Sequence, residues 1–150
     1  MILLGVTGCI AAYKSCEILR LLQKAGQDVK VVMTEHATRF VDALTFRALT
    51  HEEVAVGLFD DPWGHEVAVG LFDEPGDPIH HVSLAKEPAV FLIAPATANV
   101  IAKIARGVAD DLLTTTALAT KVPLVIAPAM NVEMWRDAAT QENIATLEAR

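Results

Sequence analysis

Aromatic residues are scarce in this sequence, at 5% of its 150 residues, and there is no cluster of basic residues. Because hydrophobic residues still make up 53% of the chain, the core must be built from Ala, Val, Leu and Ile. A net charge of −7 without a basic patch argues against nucleic-acid binding. The sequence also lacks a signal-peptide pattern and any apolar stretch near the roughly 18 residues of a membrane span. We therefore expect an anionic ligand to be held by backbone N–H groups and helix ends.

Cysteine is nearly absent as well. Cys9 and Cys16 are the only two, and both lie in one predicted loop–helix segment. Seven helical residues separate them by roughly 10 Å, too far for a disulfide bond. We expect both thiols to be reduced and the protein to be cytoplasmic.

Aliphatic runs that resemble buried strands alternate with helical periodicity along most of the chain. The predicted strands cover residues 2–6, 28–33, 89–93 and 123–126, and the predicted helices cover residues 10–25, 36–41, 45–49, 98–106, 110–120 and 138–149. Gly26 stands where the first helix should end. Asp110 and Asp111 are expected to cap a helix start. This alternation predicts an α/β fold with a parallel sheet.

One segment breaks the alternation. Residues 53–62 recur as residues 66–75 with one conservative difference. Two copies of 13 residues are too few and too short for a solenoid. We interpret them as a local duplication in a surface connection, with a lid or an oligomer contact as the alternative.

Glycine- and proline-containing turns follow the predicted strands. In open α/β sheets ligands bind beyond the carboxyl ends of the strands. The turns at this edge are residues 5–10, Thr34, residues 94–99 and residues 127–131. The turns at residues 94–99 and 127–131 share Ala-Pro-Ala and an Asn. In each, the proline is expected to end the backbone hydrogen bonding of the preceding strand. Together these turns predict a binding pocket.

The first turn is similar to a phosphate cradle, in which Gly8 permits close approach of an anion. It lacks the glycine pattern of dinucleotide-binding proteins, because Ala11 stands where a further glycine is needed. It is not a Walker A loop either. A mononucleotide phosphate suits this turn best, although Glu35 after the second strand keeps a nicotinamide alternative open.

His80 and His81 precede the third core strand, and histidine is suited to proton transfer near neutral pH. Adjacent histidines do not both face one pocket, so at most one of them is expected to be catalytic. We expect His36, His51 and His65 to be solvated. Two histidines without a third ligand argue against a metal site.

Five motifs together resemble the homo-oligomeric flavin-containing cysteine decarboxylases, and most closely their coenzyme A branch. In the family's order they are Gly5-Val-Thr-Gly-Cys-Ile-Ala-Ala-Tyr-Lys14, His81-Val-Ser-Leu-Ala-Lys86, Ala94-Pro-Ala-Thr-Ala-Asn99, Ala109-Asp-Asp-Leu-Leu-Thr-Thr115 and Pro128-Ala-Met-Asn131. The last motif, joined to the upstream histidine motif, separates this branch from the related flavin prenyltransferases.

The resemblance implies that residues 1–150 form a single Rossmann-like (flavodoxin-like), three-layer FMN domain that assembles into homotrimers or dodecamers. It implies a carboxy-lyase that oxidatively decarboxylates 4′-phosphopantothenoylcysteine, in which FMN oxidises the thiol to a thioaldehyde and so eases the loss of CO2. His81 would be the acid/base residue, Asn131 would orient the substrate carboxylate, and Met130 would be a further substrate-binding residue. The residues implied to line FMN are Gly8, Cys9, Ile10, Thr34, Thr45, Ala96 and Thr97.

The sequence departs from this family in three ways. The duplication lies just upstream of His81 and is expected to add a loop that the family lacks. Cys9 replaces the usual serine of the phosphate turn, and a thiol is the weaker donor. The chain stops at Arg150, before the family's flap cysteine and the synthetase domain. We therefore expect the final reduction toward 4′-phosphopantetheine to be incomplete.

Three alternatives stay open from the sequence. The first is a peptidyl-cysteine decarboxylase, which shares the same core. The second is a non-enzymatic FMN-binding or partner-binding module of the same fold. The third is a nicotinamide-dependent oxidoreductase.

Overall fold

A computed structural model describes residues 1–57 and 84–150. In this part of the chain five parallel strands form one sheet in the order β3-β2-β1-β4-β5. The strands are β1 (Ile2–Val6), β2 (Val29–Met33), β3 (Val54–Ala55), β4 (Val90–Ala96) and β5 (Leu124–Pro128). Because all five are parallel, their carboxyl ends lie at one edge of the sheet. The predicted α/β class and parallel sheet are confirmed.

Helices cover both faces of the sheet. They are a 3-10 helix (Ile10–Tyr13), α1 (Lys14–Lys24), α2 (Glu35–Thr38), α3 (Ala43–Thr50), α4 (Ala98–Arg106), α5 (Leu112–Ala119), α6 (Val132–Arg136) and α7 (Ala138–Glu148). None of those in the described part of the chain has the length and apolar character needed to span a bilayer.

Alternate side chains of β1, β2, β3 and β4 supply two separate cores. Leu3 and Ile93 pack on one face with the buried residues of α4 and α5. Leu4 and Val6 pack on the other face with the buried residues of α1, α2 and α3. This is the period-2 alternation of a strand buried on both sides, and it produces the predicted three layers.

The first helix differs from the prediction at its start. The chain makes one 3-10 turn, Ile10–Tyr13, before α1 begins at Lys14. Its end is as predicted, because Gly26 adopts a φ of 76° and its N–H bonds to the carbonyl of Gln23. Only glycine takes up that left-handed conformation without strain.

Pro95 does not end its strand, contrary to the prediction. The structure continues β4 to Ala96, which pairs with Pro128 across a register shift between Ile93 and Ala96. A bulge accepts proline because no ladder N–H is needed there. At Pro128 the expectation is correct, since β5 ends at that residue.

The duplicated segment begins in the sheet. Val54–Ala55, assigned from the sequence to a surface connection, instead forms β3 beside β2. Helix α6 was also missed, because its five residues are too few to establish a period. Residues 58–75 of the duplication, together with His65, His80 and His81, lie outside the described residues.

Candidate functional site

A cleft of about 450 Å³ opens at the carboxyl edge of the sheet, beyond the ends of β1, β2 and β4. This is the edge at which the sequence predicts a pocket. Its lining residues are Gly8, Thr34, His36, Arg39, Phe40, Thr97, Asn99, Val100, Lys103 and Asp111. Three predicted ligand-binding residues, Gly8, Thr34 and Thr97, therefore come together here from positions up to 89 residues apart in the sequence.

Gly8 is required by packing within the protein itself. A Cβ on Gly8 would lie 2.6 Å from Cβ and 2.8 Å from the carbonyl carbon of His36, at the start of α2. Real Cβ atoms do not approach other atoms so closely, so the turn after β1 and the start of α2 are in contact only because residue 8 is glycine. The close approach of a phosphate to Gly8 stays a prediction.

Two threonines at the cleft cap helices in the same way. Thr34 Oγ1 accepts a hydrogen bond from the N–H of Ala37, and Thr97 Oγ1 accepts one from the N–H of Val100, each at 3.2 Å. Thr34 begins α2 and Thr97 begins α4, so the positive ends of both helices face the cleft. Since each hydroxyl accepts in its cap, it keeps its own O–H as a donor for a ligand.

Charged side chains at the cleft favour an anion on one side. Arg39 is exposed at the end of α2, and no ion pair is found for it among the described residues. Lys103 is instead paired, because its Nζ lies 2.7 Å from Asp110 Oδ1 and 3.6 Å from Asp111 Oδ2. The hydrogen bond to Asp110 raises the pKa of Lys103, and Lys103 lowers the pKa of Asp110. The uncompensated positive charge therefore lies on the Arg39 side.

Four other predicted cofactor residues do not line the cleft. Cys9 is half-buried and begins the 3-10 helix, whereas the side chain of Ile10 is 81% exposed. Thr45 is exposed in the first turn of α3. Ala96 is fully buried, and its carbonyl accepts a hydrogen bond from the N–H of Ala129 at 2.9 Å, which ties the ends of β4 and β5 together.

The predicted substrate residues leave the sheet at the same edge. Met130 is half-buried and packs against the core beside α4, α5 and α7. Asn131 is exposed and begins α6, where its Oδ1 accepts a hydrogen bond from the N–H of Glu133 at 2.8 Å. This bond leaves both side-chain N–H groups of Asn131 as donors. The predicted catalytic residue, His81, lies outside the described residues.

Sequence reasoning missed several residues of the cleft. His36, which we expected to be solvated, is exposed but also lines the cleft, as do Arg39, Phe40 and Lys103. All four lie within two helical turns after a capping threonine. That spacing in the sequence could have indicated that their side chains lie near the cleft. Among residues 1–57 and 84–150, no three His, Cys, Asp or Glu side chains are grouped as a metal ion requires.

Comparison with known proteins places this chain among flavoproteins. The Flavoprotein family model matches residues 1–150. The coenzyme A biosynthesis bifunctional protein CoaBC of Mycolicibacterium smegmatis is 46% identical over 149 residues, which are 99% of this chain and 33% of that protein. The chain therefore spans about a third of the length of the curated relatives it matches.

Two solved structures extend the similarity to the fold. The FMN-dependent cysteine decarboxylase SpaF is 34% identical, with a TM-score of 0.83, over 99% of this chain and 78% of that one. A PPC decarboxylase mutant complexed with pantothenoylaminoethenethiol is 31% identical, with a TM-score of 0.80, over 99% of this chain and 76% of that one.

Proposed function

This chain belongs to the flavoprotein family, and on that premise we propose that it is an FMN-dependent carboxy-lyase. Its substrate is 4′-phosphopantothenoylcysteine, on the route to coenzyme A. The observation that carries the proposal is the meeting of Gly8, Thr34 and Thr97 at one cleft, in a chain 46% identical to a coenzyme A biosynthesis protein.

The cleft fits FMN in size and chemistry. A volume of about 450 Å³ lies in the range of small-molecule sites. Two helix N-termini, two threonine hydroxyls and the Arg39 guanidinium suit a phosphate group. The exposed ring of Phe40 offers a flat apolar surface for the isoalloxazine ring. When bound, FMN supplies a two-electron oxidant for the substrate thiol.

The remaining predicted residues complete this proposed site. Cys9 and Ile10 offer backbone N–H groups beside Gly8. Ala96 keeps the end of β4 close to the cofactor because it is small, and Thr45 offers a hydroxyl from the first turn of α3. These assignments rest on the family motifs.

We assign proton exchange and substrate orientation to two residues from different motifs, His81 and Asn131. His81 exchanges a proton with the substrate, since an imidazole can do so in either direction near neutral pH. Asn131 orients the substrate carboxylate through its side-chain N–H groups, which the helix cap leaves available. Met130, next to Asn131, supplies an apolar contact.

We further propose that the chain assembles into homotrimers or dodecamers in the cytoplasm. Large apolar side chains at the β5 edge support assembly: Val125, Val132, Met134 and Trp135 are 48%, 53%, 50% and 39% exposed. Cys9 and Cys16 are both free thiols, as expected in a reducing compartment.

The test begins with the absorption spectrum of the purified protein, which should show a flavin that is released as FMN. The protein is then mixed with 4′-phosphopantothenoylcysteine, and CO2 release and flavin bleaching are followed together. Both should occur, and His81→Asn should abolish both while leaving FMN bound. A yellow, folded protein that releases no CO2 would contradict the decarboxylase assignment and favour a binding module.

Matched substrates separate the remaining alternatives. A peptide with a C-terminal cysteine should be decarboxylated far more slowly than 4′-phosphopantothenoylcysteine. The reverse order would favour a peptidyl-cysteine decarboxylase. A colourless protein that binds NAD(P)H would favour the nicotinamide alternative.

A further inference from the structure

Two buried hydroxyls join the first loop and helix of the chain to the end of β4. Thr7 Oγ1 donates a hydrogen bond to the carbonyl of Pro95, and Ser15 Oγ donates one to the carbonyl of Ala94, both at 2.7 Å. Both residues are fully buried. The two carbonyls lie in the register shift between Ile93 and Ala96, where the ladder to β5 is interrupted. Side-chain donors therefore satisfy carbonyls that the sheet leaves open.

Thr7 has a second contact that Ser15 lacks. Its Oγ1 also accepts a hydrogen bond from the backbone N–H of Thr97 at 3.0 Å. One hydroxyl thus donates to residue 95 and accepts from residue 97, 88 and 90 positions away in the sequence. Its single proton and one of its lone pairs are both used, so its rotamer is determined.

Thr97 is the residue from which α4 begins. Its hydroxyl accepts from the N–H of Val100, and its carbonyl accepts from the N–H of Ile101. In the described part of the chain, the N–H groups of Ala98 and Asn99 have no acceptor. Such first-turn N–H groups point out of the N-terminus of a helix, which here opens on the cleft.

We propose that Thr7 is a positioning residue for the flavin site. By holding the N–H of Thr97, it sets where the first turn of α4 meets the phosphate monoester of the cofactor. The inference rests on the proposed function. Thr7 does not line the cleft, so it acts on the ligand indirectly, through its hydrogen bond to Thr97.

The test compares the dissociation constants of FMN and riboflavin, measured by flavin fluorescence with the apoprotein. Thr7→Val keeps the shape of the side chain but removes both hydrogen bonds. It should weaken FMN binding by about tenfold and change riboflavin binding little, since riboflavin has no phosphate. Thr7→Ser, which keeps the hydroxyl, should restore FMN binding.

Ser15→Ala is the matched control, because it removes an equally buried hydroxyl that bonds to the same strand, β4, without touching Thr97. It should lower the urea midpoint but leave the preference for FMN over riboflavin unchanged. Equal weakening of both flavins by Thr7→Val, or the same loss of preference in Ser15→Ala, would reduce Thr7 to a structural role and overturn the proposal. A wild-type protein that binds neither flavin would overturn the proposed function first, and this inference with it.

Amide hydrogen exchange of the wild-type apoprotein, without flavin, gives an answer even if Thr7→Val does not fold. The amide of Thr97 should exchange far more slowly than those of Ala98 and Asn99. Comparable rates for all three would mean that Thr7 does not hold Thr97, and would overturn the proposal.

Discussion

At the scale of single residues, the contact between Gly8 and His36 connects the turn after β1 with the start of α2. The same two elements supply Gly8 and Thr34 to the cleft. A side chain at residue 8 would push against the backbone of His36 and could not be relieved by a rotamer change. Folding, and ligand binding at the proposed site, therefore depend on the same missing Cβ.

We expect Gly8→Ala to lower the free energy of unfolding by about 1–3 kcal/mol, in the range of overpacked sites, and to weaken FMN binding. Urea unfolding and flavin titration measure the two effects. Gly26→Ala is the control, because nothing lies within 4 Å of its new Cβ and only the positive φ is strained. It should cost about 1 kcal/mol and leave FMN binding unchanged. Equal flavin affinities for wild type and Gly8→Ala would contradict this prediction.

At the scale of elements, side-chain interactions of two adjacent aspartates join the loop between α4 and α5 to both helices. Asp111 caps α5, because its Oδ1 accepts from the N–H of Thr114 at 2.7 Å and the Thr114 hydroxyl accepts from the N–H of Asp111. The predicted acidic cap is thus confirmed for Asp111. Asp110 pairs with Lys103 on α4 instead.

Two substitutions of Asp111 distinguish the stability that its helix cap contributes from the stability that its charge contributes. Asp111→Ala should lower the free energy of unfolding by about 1 kcal/mol, since the first turn of α5 loses its acceptor. Asp111→Ser keeps an acceptor and should recover most of that loss in urea unfolding. If both variants unfold alike, the ion pair with Lys103 matters more than the cap.

The Lys103–Asp110 pair should make stability depend on pH at both extremes. The hydrogen bond to Lys103 lowers the pKa of Asp110 in the folded state, so its contribution is present at neutral pH and is lost as the pH falls through that lowered value. The pKa of Lys103 is raised, so its contribution is present at neutral pH and is lost as the pH rises through the raised value.

Lys103→Met should flatten both limbs of a plot of urea midpoint against pH. Arg136→Met, which removes the exposed pair with Glu133, is the control and should leave both limbs as in the wild type. Unchanged limbs in Lys103→Met would show that the pair adds nothing to stability.

At the scale of the whole molecule, the sheet is completed differently at its two ends. Among the strands of residues 1–57 and 84–150, β3 is a two-residue edge beside β2, whereas β5 is a longer edge whose flank carries exposed apolar side chains. Together with the neighbouring α6, β5 offers an apolar surface that another copy of the chain would cover in the proposed homo-oligomer.

Native mass spectrometry should therefore find trimers or dodecamers. Met134→Asp, which puts a charge on this surface, should shift the population toward monomers. Leu21→Asp puts the same charge on α1 at a side chain that is 64% exposed, and should leave the assembly unchanged. A wild-type monomer at all protein concentrations would contradict the proposed assembly.

The sequence alone determined the class of the fold, its strand-end turns and the family. Periodicity and caps such as Gly26 act over a few residues, so they are readable without a structure, and the resemblance to flavin-containing cysteine decarboxylases is confirmed by the relatives. His81 stays a prediction, because it rests on its motif alone.

Only the tertiary structure decided what surrounds those turns. It alone reveals Arg39 and Lys103 at the cleft, His36 against Gly8, and Thr97 held by Thr7. Thr7 and Thr97 meet because parallel crossovers bring β1 and β4 side by side, with their carboxyl ends at one edge. A contact across 90 residues leaves no trace in local patterns, since its distance depends on how every intervening element packs.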